Sequence, residues 1–286
     1  MTDSQTFRRG PAWTIVVLLL LYMLVNFLDK IALSMTAVPL MTELKLSATQ
    51  FGMISGSFYW LFSISGILVG FLCRRIAARR LLLVMGIAWA ALQIPVVFAT
   101  SATGLLWARM LLGAAEGPAL PFTAVALFQW FPDEKRNLPV TVVSAGASFG
   151  LVIAGLLIPW ITATWGWRSN FEALSVIGAV WCVLWYTIGC NPRLVRSSSE
   201  NRYAGAHANA AYRLPDALPY RALFADRSVL AIYGGAIAGY TALGVTMTWL
   251  PLYLQRGLGY SATSAGRWFT VVVLTLVPVQ MLLSGM

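Results

Sequence analysis

Long, unbroken apolar stretches occupy most of this 286-residue sequence. Each is close to the ~20 mostly apolar residues that a helix needs to cross the hydrocarbon core of a bilayer. The stretches are continuous rather than alternately apolar and polar, which favours membrane-spanning helices over a transmembrane barrel. The sequence therefore predicts an all-α integral membrane protein with eight spans. They lie near residues 13–34, 50–72, 81–99, 104–131, 138–163, 171–190, 228–254 and 267–285.

The distribution of charge predicts how the spans are oriented. Charged residues make up 10% of the chain and the net charge is +10, whereas a soluble domain carries about 25% charged residues. With the N-terminus in the cytoplasm, 14 Lys and Arg residues fall in cytoplasmic segments and four in outer segments. This asymmetry is the positive-inside rule. It predicts a multi-pass protein of a bacterial inner membrane, with lipid rather than nucleic acid around its basic residues.

A polar segment divides the predicted spans into six and two. We expect a six-helix bundle over 1–190, a cytoplasmic linker over 191–227 and a partial second bundle over 228–286. An internal repeat supports this plan, because Pro39-Leu40, Ser47-Ala48-Thr49 and Gly52 recur as Pro251-Leu252, Ser261-Ala262-Thr263 and Gly266. Parallel repeats of this kind are typical of one large class of transporters. The sequence therefore predicts a chain that is truncated after two helices of the second repeat.

Four charged residues are predicted to lie within the spans: Asp29 and Lys30 in the first, Arg109 and Glu116 in the fourth. Each costs about 2.5–3.5 kcal/mol on insertion scales, so such residues are functional candidates by default. Arg109 and Glu116 are seven positions apart and share one helix face. Their depths allow Asp29 to contact Arg109, and because the four charges sum to zero we expect a self-neutralising cluster.

Other interpretations of these charges stay open at the level of sequence. The first helix could end at Leu28, which would place Asp29 and Lys30 in an outer loop. Arg109 could extend to the membrane interface. Glu116 could make a purely structural hydrogen bond.

The fourth span is also predicted to bend. The span contains Gly113, which permits close contact with a neighbouring helix. It also contains Pro118 and Pro121, which lack backbone donors. Both features are expected of a gating helix beside a cavity. A bundle helix with a purely structural kink would look similar.

No enzymatic or metal-binding pattern is predicted. Cys73, Cys182, Cys190 and the single His207 lack the spacing of metal ligands or of a catalytic set. We therefore expect a protein that is not an enzyme and has no cofactor, no metal and no obligate protein partner.

Four motifs together resemble the major facilitator superfamily, and more narrowly its anion:cation symporter family. Asn26–Lys30 is similar to the N-x-x-D-R signature of the first helix. Arg109–Pro121 matches R-x-x-x-G-x-x-E-x-x-x-x-P in the fourth. Trp130–Arg136 resembles the W-F-P-x-x-E-R loop with the acid shifted by one place, and Gly166–Phe171 resembles the G-W-R-x-x-F turn.

The resemblance implies proton-coupled uptake of an organic anion, such as a sugar acid or another carboxylate, by alternating access. It implies that Lys30, Arg109 and Tyr59 bind the substrate and that Asp29 and Glu116 couple it to protons. Protonation of a carboxylate would release a cationic side chain to hold the anion. Two alternatives are kept: a truncated remnant that does not transport, and a membrane sensor that binds an anion without moving it.

The sequence departs from the family pattern at two places. Lys30 stands where the family has arginine, which removes the two-pronged fork that suits a carboxylate. In the loop over 70–79, Arg74 replaces the usual acid and Ala77 a glycine, which bears on gating. The antiporter G-P signature is absent from Gly146–Gly155, which favours uptake over export.

Overall fold

The computed structural model describes residues 9–72, 77–189 and 225–284, and everything regular within them is helical. The helices are α1 (Arg9–Met35), α2 (Ala37–Glu43), α3 (Ala48–Leu72), α4 (Ala78–Val97), α5 (Ala102–Glu116), α6 (Ala119–Phe128), α7 (Asn137–Trp165), α8 (Arg168–Ile188), α9 (Arg227–Leu252) and α10 (Ala262–Ser284). A 3₁₀ turn, Asp133–Lys135, precedes α7, and a π-helical turn, Tyr253–Gly257, follows α9. The predicted linker, 191–227, and the predicted loop change at Arg74 lie almost wholly outside the described residues.

The predicted spans correspond to these helices. Seven helical segments in the described part of the chain are long and apolar enough to cross a membrane. The eighth predicted span coincides with α10. Six candidate spans thus precede the segment 190–224, and one candidate span and α10 follow it, which confirms the all-helical plan of a six-helix half and part of a second.

Among the described residues, 9–189 and 248–284 belong to one compact unit and 225–247 belong to another. In the first unit, α1 packs on α7, α3 on α5, α4 on α8, and α7 on α10. In the second, residues 227–246 of α9 expose apolar side chains such as Ile232 and Tyr240.

Glycines allow the helices of the larger unit to approach closely. A Cβ atom on Gly113 would lie 1.9 Å from the carbonyl oxygen of Phe58, and one on Gly117 would lie 2.1 Å from that of Phe62. Because both pairs are four residues apart, one face of α5 runs along one face of α3. This contact fixes the depth at which α5 presents its charged residues.

The fourth span is broken rather than smoothly bent. α5 ends at Glu116 and α6 begins at Ala119, with Pro118 between them. Pro118 has no N–H to continue the helix, and Pro121 falls in the first turn of α6, where no intrahelical donor is needed. The break follows directly after the carboxylate of Glu116.

Both copies of the internal repeat have the same local structure. Ser47 Oγ accepts a hydrogen bond from Gln50 N at 3.2 Å, and Ser261 Oγ accepts one from Ser264 N at 3.2 Å. Each serine thus caps the helix that follows it, α3 or α10. The equivalent glycines, Gly52 and Gly266, then lie one turn inside those helices.

Candidate functional site

Three of the four charged residues predicted within the spans are buried, and the side chain of the fourth, Lys30, is 9% exposed. Asp29, Glu116 and Arg109 are 0%, 1% and 3% exposed. α1 continues past Leu28 to Met35, so Asp29 and Lys30 lie inside a span and not in a loop. The burial of Arg109 also excludes an extension of its guanidinium to the interface.

Lys30 and Glu116 form an ion pair between α1 and α5. Lys30 Nζ lies 2.9 Å from Glu116 Oε2. Asn26 Nδ2 donates to the same oxygen at 2.8 Å, and Lys30 also donates to Asn26 Oδ1. Asn26 and Lys30 are one turn apart on α1, so a single helix face supplies both donors. The second carboxylate oxygen, Oε1, has no hydrogen-bond partner among the described residues.

Aromatic rings enclose the cationic side chains. Lys30 Nζ lies 4.9 Å from the ring centre of Phe27 and 5.4 Å from that of Phe62. The guanidinium carbon of Arg109 lies 4.7 Å from the ring centre of Phe58. Such cation–π contacts stabilise a buried charge without neutralising it.

Asp29 forms a hydrogen bond with α4. Trp89 Nε1 donates to Asp29 Oδ2 at 2.9 Å, and Asp29 Oδ1 has no partner among the described residues. The predicted contact with Arg109 is not formed, because neighbouring residues on a helix point about 100° apart. Asp29 therefore reaches α4 through Oδ2, while its carboxylate also interacts with that of Glu116 on α5.

Arg109 is consequently a buried cation without a counterion. Within the described residues no carboxylate oxygen lies within 4.0 Å of it, and its Nε and Nη1 atoms have no hydrogen-bond partner. The expected cluster of four charges is thus one ion pair, one carboxylate held by an indole, and one unpaired guanidinium. A buried charge of this kind costs free energy unless a ligand of opposite charge completes it.

Tyr59 lies in the same aromatic cluster. Its ring centre is 5.2 Å from that of Phe58 and 6.3 Å from that of Phe62, the two rings under Arg109 and Lys30. Its side chain is half-buried. A role in substrate binding stays a prediction.

Sequence reasoning missed two residues of this site, Asn26 as a ligand of Glu116 and Trp89 as the donor to Asp29. It also missed Gln93, a buried polar residue of α4. Gln93 is 0% exposed, and neither polar atom of its side chain has a partner among the described residues. A single amide inside an otherwise apolar span was the signal available for Gln93. No comparable signal existed for Trp89, since tryptophan is common in membrane spans.

The G-W-R turn lies at the predicted outer end of the bundle. Glu43 Oε2 accepts from Trp167 Nε1 at 2.7 Å, and Glu43 Oε1 pairs with Arg168. These two bonds lower the pKa of Glu43. Arg168 also donates to the carbonyl oxygens of Val97, the last residue of α4, and of Ala99 just beyond it, at 2.8 and 3.1 Å. One turn thus ties together α2, α4 and α8.

Helical repeats that surround buried charged residues are typical of secondary transporters. The sequence profile of the Major Facilitator Superfamily matches residues 18–286, so the chain belongs to that superfamily. This confirms the superfamily predicted from the motifs, and with it a multi-pass membrane protein.

Three of its curated relatives are named as transporters of sugar acids. The chain is 29% identical to a hexuronate transporter of Bacillus subtilis (strain 168), covering 92% of this chain and 60% of the relative. It is 26% identical to a D-galactonate transporter of Escherichia coli O6:H1, covering 94% and 65%. A probable galactarate/D-glucarate transporter of Escherichia coli K12 is 25% identical, with 91% and 63% covered. The chain therefore spans about two thirds or less of the length of these relatives.

Solved structures show the same fold at lower identity. A bacterial homologue of the human lysosomal transporter Spinster, in an inward-facing and unoccupied conformation, aligns with a TM-score of 0.74 at 17% identity. The alignment covers 93% of this chain and 60% of that one. A D-xylose–proton symporter aligns with a TM-score of 0.68 at 17% identity, covering 92% and 66%.

Proposed function

We propose that this protein carries out proton-coupled uptake of an organic anion, a sugar acid or a similar carboxylate, by alternating access. The observation that carries the proposal is Arg109, a buried guanidinium with free donors and no carboxylate within ion-pairing distance. A substrate carboxylate is the group that would complete it, since guanidinium and carboxylate match in charge and in planar geometry. The sugar-acid carriers among its relatives support the same class of substrate.

Glu116 is the proposed proton acceptor for coupling. It neutralises Lys30 through one oxygen, Oε2, and the other, Oε1, has no hydrogen-bond partner in the part of the chain that the structure describes. Protonation of Glu116 removes the charge that holds Lys30, so the ammonium becomes a second cation for the anion. Asp29 is the second proposed proton-coupling carboxylate. Proton and substrate then bind together because each offsets the cost of burying the other's charge.

The proposed movement is a rocking of the two repeats around this site. Gly266 on α10 and Gly155 on α7 lie so close that a Cβ on Gly266 would be 2.0 Å from the carbonyl oxygen of Gly155. Trp249 also packs on Gly52, with the indole 3.1 Å from a Cβ built there. Both contacts lie at the predicted outer ends of their helices, which supports an outward closure that opens during the cycle. Gly113, Pro118 and Pro121 are the proposed pivot beside Glu116.

The proposed orientation places the N-terminus in the cytoplasm of a bacterial cell and the protein in its inner membrane. The excess of Lys and Arg on alternate segments supports this orientation. With outer acid and inner neutral pH, a proton bound to Glu116 would drive the anion inward.

The test is uptake of labelled glucuronate, galactonate and galactarate by this chain in lipid vesicles under an imposed pH gradient. Accumulation that depends on the gradient supports the proposal and identifies the preferred acid. Arg109→Met serves as the matched negative control, with Arg80→Met as a control at an exposed arginine of α4. Saturable binding without accumulation would indicate a sensor instead, and neither binding nor accumulation by the inserted chain would overturn the proposal.

A further inference from the structure

Two buried carboxyl groups meet inside the bundle, one from α1 and one from α5. Asp29 is 0% exposed and Glu116 is 1% exposed. Their side chains lie within hydrogen-bonding reach of each other. Because Asn26, three positions before Asp29, donates to Glu116, the side of α1 that carries Asp29 also faces Glu116. Asp29 and Glu116 are called the acid pair below.

Each carboxylate of the acid pair has one oxygen with a donor and one without. Trp89 donates to Asp29 Oδ2. Asn26 and Lys30 donate to Glu116 Oε2. The other two oxygens, Asp29 Oδ1 and Glu116 Oε1, have no donor among the described residues. Ionised carboxylates only accept hydrogen bonds, so a proton between Oδ1 and Oε1 is what would allow each group to satisfy the other.

The charges around the acid pair also favour a bound proton. Within the described residues, Lys30 Nζ is the one cationic atom within 4.0 Å of either carboxylate, at 2.9 Å from Glu116 Oε2. Two ionised carboxylates beside one ammonium would leave a net negative charge in a buried site, where like charges in contact repel strongly. One proton brings the acid pair and Lys30 together to zero net charge.

Few other titratable groups face the acid pair. α6 and α7 contain none, and those of α4, Arg79 and Arg80, lie in its first turn, more than two turns before Trp89. In the described parts of α1, α3, α5 and α8, the remaining groups of the interior are Tyr22, Lys30, Tyr59, Arg109 and Cys182. Both tyrosines interact with Glu116. Phenols and thiols are mostly neutral at physiological pH, so they do not balance the charge of the acid pair.

We propose that Asp29 and Glu116 share one proton in the substrate-free protein, held between Asp29 Oδ1 and Glu116 Oε1. The shared proton leaves Glu116 Oε2 bonded to Lys30, so the ion pair persists. The proton that drives uptake is then a second one, which arrives from the aqueous phase, neutralises the acid pair and releases Lys30. The charge of Arg109 is unbalanced in both states, and a substrate carboxylate balances it.

The role of the second proton rests on the proposed function, whereas the shared proton can be measured without substrate. The test is infrared spectroscopy of the full chain in lipid vesicles at neutral pH. A protonated carboxyl has a carbonyl band that an ionised carboxylate lacks, and we expect one such band in the unaltered protein.

Substitution of either member of the acid pair should abolish this band. In Asp29→Asn the new amide can donate to Glu116 Oε1, and in Glu116→Gln it can donate to Asp29 Oδ1. Because the amide takes the place of the proton and removes one negative charge, the carboxyl group that is left should be ionised. We therefore expect each single variant to lose the whole band.

Further variants make the result decisive. Asp29→Gln and Glu116→Asn present the same amide on a side chain of different length, so a folding failure of one variant leaves another measurable at that position. Glu172→Gln, at an exposed acid of α8, should keep the band. The shared proton is refuted by a missing band in the unaltered protein or by a band that survives substitution at either position, since a surviving band belongs to one carboxyl alone.

Uptake of labelled sugar acids by the same vesicles separates the two proposals. A band that requires both carboxyl groups, without any anion accumulation, contradicts the transport function alone. Gradient-driven accumulation without such a band contradicts the shared proton alone.

Discussion

Lys30 Nζ lies 2.9 Å from Glu116 Oε2, a single-point ion pair between the first and fourth spans. Lysine offers a compact charge where a guanidinium would offer two parallel donors. The pair is supported by Asn26, which donates to the same oxygen. Loss of charge on Glu116 therefore removes the main attraction that Lys30 experiences.

Neutralising Glu116 should abolish the coupling of uptake to protons while anion binding is kept. In Glu116→Gln, Lys30 is permanently without its counterion, so we expect anion binding to persist and uptake to lose its dependence on the pH gradient. Uptake of labelled sugar acid with and without a gradient measures both. Glu172→Gln, at an exposed acid of α8, is the control. Full gradient-driven uptake by Glu116→Gln would contradict the role assigned to Glu116.

Removing the unpaired guanidinium should weaken binding and raise stability together. A charged hydrogen bond contributes about 1.5–3 kcal/mol, so Arg109→Met should weaken anion binding about 10- to 150-fold. The same change replaces a buried cation that has no counterion, and the melting temperature should rise. Binding assays and thermal unfolding in detergent measure the two effects. A variant that binds normally, or melts earlier, would refute this account of Arg109.

The close contact between α7 and α10 makes a prediction about conformation. In Gly266→Ala the new methyl group would meet the Gly155 carbonyl oxygen, and overpacking of this kind costs about 1–3 kcal/mol. We expect the variant to favour the state in which these helices separate. A cysteine introduced at the predicted outer end of α10 should then react faster with a thiol-specific label. Gly56→Ala, where a Cβ meets no atom within 4 Å, should label like the unaltered protein.

The outer turn predicts how stability depends on pH. Hydrogen bonds from Trp167 and from Arg168 lower the pKa of Glu43. Its contribution to stability is therefore present above the pKa of an unpaired glutamate and is lost as the pH falls through the lowered value. Because Glu43 is half exposed, that contribution is about 1 kcal/mol or less. Melting curves of Glu43→Gln and the unaltered protein should differ at neutral pH and converge in acid, and a constant difference would contradict this assignment.

Much of the fold followed from one-dimensional signals. The lengths of the apolar stretches predicted the spans. The serines at 47 and 261 indicated where two equivalent helices begin. The residues of the ion pair were also accessible, because Lys30 and Glu116 are charges in apolar surroundings. The pairing of Lys30 with Glu116 could not be predicted from the sequence, because it depends on the rotation of α1 about its own axis. That rotation turns Asp29 towards Trp89, and it is set by glycine contacts such as that of Gly150 on the Leu24 carbonyl oxygen.

The choice of lysine at position 30 sets an energetic threshold for this protein. An arginine at this position could bind Glu116 through two parallel hydrogen bonds. Separating that pair would cost more free energy than separating the lysine pair. The ammonium has one bond to the carboxylate, two aromatic walls and an amide close by. It can therefore change partners over a short path without leaving its enclosure. Under the proposed mechanism, we expect such a site to respond to small proton gradients, because Lys30 would exchange partners quickly at the expense of a firm hold on Glu116.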